Sequence, residues 1–104
     1  MIDLTANQKK IVLKVAQDIF NDDSIEFFVF GSRAKNSARK YSDLDLAIKG
    51  NDKISINLLQ ALKYSYSQSD LPFMVDVIDL NSISTEFYHA IESDLILLGK
   101  IASN

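Results

Sequence analysis

The residues that most constrain this chain are Gly31-Ser32 and Asp43-Leu44-Asp45, set ten residues apart and each joined to an apolar run. Ile25 to Phe30 is dense in aromatic and β-branched side chains, and Asp43 to Lys49 alternates, as half-buried strands do. A Gly-Ser turn closing a strand lets the backbone approach a ligand closely and presents N–H groups and a hydroxyl to phosphate oxygens. Aspartates two apart on a strand project to the same side, where their charges repel unless a cation lies between them. Their hard oxygens suit Mg²⁺. Together these segments point to nucleotide chemistry.

Taken singly, each segment also has an ordinary reading: a strand-ending turn, or a solvated acidic strand end. The glycine and distal glutamate of an EF-hand loop are missing, and no Gly-Lys-Ser/Thr follows Gly31 to make a Walker-type loop. A third carboxylate, Asp76, lies inside Met74-Val75-Asp76-Val77-Ile78, where a buried charge is costly unless compensated. It is either a hydrogen-bonded core aspartate or a third metal ligand. Asp79 has the opposite strand parity and reads as a strand-end or capping residue. Phosphate turn, aspartate pair and buried third aspartate follow one another in the order that two-metal phosphoryl chemistry needs.

The order of elements reads α-β-α(short)-β-α-β-α with a final strand. Thr5-Ala6-Asn7-Gln8 forms a capping box ahead of a helix reaching about Phe20. Asn21 to Ser24 is a turn, and a short helix is expected from about Arg33, its positive end adding to the phosphate grip. Leu58, Leu59, Leu62 and Tyr66 mark the next helix. The nearly continuous apolar run from Phe73 to Leu80 predicts a central strand buried on both faces. Phe87, Ala90 and Ile91 mark a last helix, and Leu95 to Leu98 a short edge strand. The expected class is α+β: a small mixed sheet of three to four strands with helices packed on it, as a single domain over 1–104.

Composition narrows the functional classes. The chain has 104 residues, 47% of them hydrophobic and 24% charged, enough for a packed core. Cysteine is absent, which removes disulfides, thiolate nucleophiles and Cys-based zinc sites and fits a cytoplasmic setting. No signal peptide is visible and no apolar run is long enough to span a bilayer. A net charge of −3 argues against general nucleic-acid binding. Arg33, Lys35, Arg39 and Lys40 nevertheless crowd the loop before the aspartate pair, placing positive charge beside negative charge, as a metal–triphosphate complex requires.

Gly31-Ser32-Arg33-Ala34 with Ser42-Asp43-Leu44-Asp45-Leu46, followed by Val75-Asp76-Val77-Ile78-Asp79, resembles the polymerase-β-like nucleotidyltransferase superfamily. The similarity is greatest to its minimal, single-domain prokaryotic branch and runs from Ile25 to the last helix. Where that family often has glycine, this chain has Asn36, a residue that tolerates the left-handed conformation. The resemblance implies a nucleotidyltransferase fold and transfer of a nucleoside monophosphate, AMP from ATP, with release of pyrophosphate. It implies that Asp43, Asp45 and Asp76 are catalytic and hold two Mg²⁺ ions. Gly31 and Ser32 would hold the β/γ-phosphates, with Arg33 assisting. The minimal branch is typically paired with a small helical HEPN-type protein, often as antitoxin to a ribonuclease toxin, so the acceptor is expected to be a hydroxyl, such as a tyrosine's, on that partner.

Two other classes stay open: an antitoxin that neutralises its partner by binding alone, and a regulator that senses ATP without transferring anything. Self-assembly into an oligomer also stays open. Lys35, Arg39 and Lys40 read as a solvated basic face, and His89 as a surface or partner-facing histidine. Tyr64, Tyr66 and Tyr88 read as structural, and Tyr41, beside the aspartates, as a candidate substrate contact.

Overall fold

The computed structural model describes residues 2–20 and 24–101. Helix α1 (Ala6–Ile19) is followed by strand β1 (Ile25–Phe30), a 3₁₀ turn (Gly31–Arg33), strand β2 (Leu44–Lys49) and helix α2 (Ile56–Ser67). Strand β3 (Val75–Asp79), helix α3 (Thr85–Ile91), a second 3₁₀ turn (Glu92–Asp94) and strand β4 (Ile96–Ile101) complete the chain. The expected turn over Asn21 to Ser24 lies mostly outside the described residues.

Each helix begins at a hydroxyl. The Thr5 hydroxyl accepts from the Gln8 N–H at 3.0 Å, and the Gln8 side chain accepts from the Thr5 N–H at 3.0 Å, completing the capping box. Ser55 and Ser84 cap α2 and α3 through the N–H groups of Leu58 and Phe87. Each such cap contributes about 1 kcal/mol, which fixes where a helix starts.

The sheet order is β3-β2-β1-β4, with β1 antiparallel to both neighbours and β2 parallel to β3. Period-two alternation divides the side chains cleanly. Ile25, Phe27, Val29, Leu44, Leu46, Ile48 and Val77 are buried in one core with Val12 and Ala16 of α1 and Leu62 and Tyr66 of α2. The Tyr66 hydroxyl donates to the Val12 carbonyl at 2.9 Å, tying the two helices together, and burial pushes that hydroxyl's pKa upward. The opposite face carries the rows Phe28–Ala47–Ile78 and Phe30–Asp45–Asp76.

Two expectations need correction. Strand β3 is an edge strand, not a central one. The apolar run that suggested otherwise serves several purposes at once. Phe73 is a buried loop residue stacked against Arg33, Met74 is 75% exposed, and only Val77 and Asp79 are buried within the strand. Asp76 is accordingly exposed rather than buried. The helix expected from about Arg33 is a single 3₁₀ turn, because Asn36 takes φ = 56° and reverses the chain. The N–H groups of Lys35 and Ser37 both return to the Ser32 carbonyl instead of extending a helix. That left-handed position is the one expected for Asn36.

Candidate active site

The site lies where β1 ends and the parallel strands β2 and β3 begin. Register fixes it: Phe30 stands opposite Asp45, and Asp45 opposite Asp76. Adjacent strands run about 4.8 Å apart, so Asp45 and Asp76 share one face as direct neighbours. Asp43 precedes β2 by one residue and contributes its charge to the same group. The Asp45 carboxyl is held above its ordinary pKa, first by burial, then by the charges of Asp76 and Asp43. Loss of water and like charges nearby both disfavour the ionised form.

Gly31 takes φ = +73°, a left-handed conformation that a side chain disfavours. Space forbids a side chain as well. A Cβ at Gly31 would collide with Asp45 Oδ2 and sit 3.1 Å from its Cγ. Gly31 therefore lets the turn close against the central aspartate, a contact beyond the phosphate approach expected of it. Ser32 is half-buried, and its hydroxyl makes no hydrogen bond among the described residues.

Arg33 does a different job from the one expected. It is 4% exposed, and its guanidinium donates to main-chain carbonyls throughout. Nε and Nη2 reach Ser42 at 3.1 and 2.9 Å, Nη2 also reaches Lys40 at 3.2 Å, and Nη1 reaches Asp3 at 2.9 Å. Its plane lies 4.0 Å over the Phe73 ring. The side chain is thus a clamp inside the ten-residue loop, with its donors engaged away from any phosphate, and it fixes Ser42 immediately before the first aspartate. Five donors on a planar fork suit this gathering role; a lysine could not match it.

The other basic residues are exposed. Lys35 pairs with Asp94 at 3.3 Å, and the Lys40 ammonium lies 5.3 Å from the exposed Tyr41 ring. His89 is exposed on α3 and faces Glu92 at 3.2 Å. Asp79 is 3% exposed and accepts from the Ile54 N–H at 2.7 Å, the Asn81 N–H at 3.0 Å and the Ser82 hydroxyl at 2.9 Å. It is the capping residue its parity predicted.

A cavity of about 450 Å³ adjoins the carboxylates on the β3 side, lined by Asp43, Asp76, Lys63, Ser67, Phe73 and Met74 among others. Its α2 wall carried no sequence signal, because Lys63 and Ser67 resemble any polar helix residues.

The donor set fits magnesium. Among the described residues no three carboxylates close into a ready-made metal cage. Mg²⁺ does not require one, since it keeps several waters and takes remaining ligands from phosphate.

The family model for "Polymerase beta, Nucleotidyltransferase" matches residues 8–101. The chain belongs to that nucleotidyltransferase family. It is 34% identical over 97 residues to the probable protein adenylyltransferase MntA of Haemophilus influenzae, covering 93% of this chain and 83% of that one. The nucleotidyltransferase fold is shared with a toxin–antitoxin crystal structure containing AMP-PNP (TM-score 0.74, 22% identity, 88% of this chain and 72% of that one). It is also shared with a tri-AMPylated Shewanella oneidensis HEPN toxin in complex with MNT antitoxin (TM-score 0.67, 21% identity, 88% of this chain and 68% of that one). The α+β nucleotidyltransferase thus carries its carboxylates on the sheet face opposite α1 and α2.

Proposed function

We propose that this nucleotidyltransferase moves AMP from ATP to a hydroxyl on a partner protein, with a helical HEPN-type toxin as the partner it neutralises, in the cytoplasm. The observation that carries the reading is the cross-strand pairing of Asp45 with Asp76, against a glycine turn that touches Asp45. The similarity to a probable protein adenylyltransferase supports the acceptor class.

In this reading Gly31 and Ser32 hold the β/γ-phosphates through backbone N–H groups and the free Ser32 hydroxyl. Asp43, Asp45 and Asp76 would hold magnesium, which supplies positive charge to the triphosphate and to the oxygens that gain charge as the bond changes hands. The acceptor oxygen bonds to the α-phosphorus as the bond to the bridging oxygen breaks, and pyrophosphate departs. Asp76, exposed and without a hydrogen-bond partner among the described residues, receives the acceptor proton or passes it to water. Arg33 acts at one remove, by holding Ser42 and hence the approach to Asp43.

The test is intact-mass measurement of the purified helical partner after incubation with ATP and Mg²⁺. A gain of one AMP with wild type and none with Asp43→Asn is expected. An equal gain with both would end the assignment of these carboxylates.

A further inference from the structure

The sheet ends in two unlike edges, β3 and β4. An open edge is a template on which an extended chain can add a strand, and proteins blunt the edges they do not use with bulges, lysines or prolines. Strand β4 is blunted: its register against β1 shifts between Phe27 and Phe28, and Lys100 stands exposed near its end. Strand β3 is left regular. Its register against β2 runs unbroken from Val75 to Asp79, without proline or lysine, and its exposed charge is the Asp76 that the transferase reading employs. The Leu44 N–H donates to the Met74 carbonyl and the Leu80 N–H to the Ile48 carbonyl, which sets the phase of this parallel ladder. Residues 74, 76, 78 and 80 therefore bond toward β2, and Val75 and Val77 turn their N–H and C=O groups outward. Those groups find no main-chain partner among the described residues.

We propose that the β3 edge takes an extended loop or tail of the substrate protein as an added antiparallel strand, which sets the residue to be modified directly opposite Asp76. This rests on the transferase reading above. The ladder's phase singles out that position. Across from a residue that bonds outward, an added strand makes a hydrogen-bonded pair; across from one that bonds inward it makes a non-bonded pair, the closer of the two at about 4.5 Å between Cα atoms. Asp76 is of the second kind, so the side chain opposite it comes nearest, on the face that also carries Asp45. The neighbours of that residue turn to the other face. The residue two positions before it meets the half-buried Ile78, which suits an apolar side chain. A second copy of this chain fits the edge less well, because pairing β3 with itself would bring two sets of these carboxylates to one seam.

Amide hydrogen exchange tests this without turnover. The Val75 and Val77 amides should exchange freely in the isolated protein and slow at least about tenfold when the purified partner is added without ATP. In steady-state transfer, Val75→Pro removes one outward N–H at the first residue of the strand, where proline is tolerated, and spares the ladder to β2. It should raise the acceptor KM about tenfold, the scale of one lost hydrogen bond, and leave the KM for ATP unchanged. Should that variant unfold, exchange on the wild type decides. With a synthetic peptide centred on the modified residue, moving that residue by one position should abolish transfer, because its side chain then turns to the other face. Val75 and Val77 amides that stay unprotected while the partner is still adenylylated would overturn the added strand and leave the transferase reading intact. Protection that grows with protein concentration in the absence of the partner would assign the edge to a second copy and overturn it too. Protection by a partner that never receives AMP would uphold the added strand and end the transferase reading.

Discussion

Asp76 and Asp79 stand three residues apart on one short strand, yet the protein treats them as opposites. Asp79 points to the helix-covered face at the C-terminal end of β3 and receives two backbone N–H groups and a hydroxyl. Asp76 points to the other face at the N-terminal end, exposed, beside a second aspartate and near a third. The satisfied carboxylate joins two chain segments, residue 54 and the turn at residues 79–82, into one corner. The unsatisfied group is repulsive, and it persists at a cost that a bound cation would offset. One end of the β2–β3 pair thus serves folding, and the other carries the carboxylates proposed above for the chemistry.

Substitutions should break this contrast in order of size. Asp79→Ala leaves buried donors without an acceptor and should cost about 2–4 kcal/mol of stability. Thermal unfolding should register this as a fall of roughly 10 °C or more, with AMP transfer per folded molecule retained. Asp45→Asn should cut transfer at least about a hundredfold, comparable to losing one preorganised electrostatic element, without lowering Tm. Gly31→Ala falls between the two classes. Its left-handed backbone costs about 1–2 kcal/mol, and the new methyl forces the Asp45 carboxylate aside, so both Tm and transfer should drop.

The smallest effect is the most diagnostic. Because the folded-state pKa of Asp45 is raised, the folded protein binds that proton more tightly than the unfolded chain. Its charge therefore opposes folding above the folded pKa, and the penalty disappears below the ordinary value of 3.8. Asp45→Asn should raise Tm at pH 7 in the absence of divalent cations, and the gain should shrink as pH falls toward 3. Mg²⁺ should stabilise wild type more than the variant. A variant less stable than wild type at pH 7 without metal would show that neither burial nor crowding penalises the Asp45 charge.

How much of this was legible before folding depended on distance along the chain. The Thr5 capping box, β1 at Ile25–Phe30 and the Gly31 turn are local, and all lie where short-range chemistry predicts. Asp43 and Asp45 share a side by spacing alone. The role of Arg33 was not legible, because its partners are carbonyls of residues 3, 40 and 42, and a carbonyl carries no side-chain signature. Nor was the edge position of β3. Its apolar residues serve a loop, a cavity and a core, and hydropathy adds these as though they were one burial.

The clamp at Arg33 also reaches the beginning of the described chain. The Asp3 N–H donates to the Arg33 carbonyl at 2.7 Å, while the Arg33 guanidinium donates back to the Asp3 carbonyl, so two links staple this leader to the loop. Asp3→Pro, which deletes the donor of the first link, would loosen that staple and reach Ser42, next to the first aspartate. That change should depress turnover even though it lies at a residue remote in sequence from every proposed substrate contact.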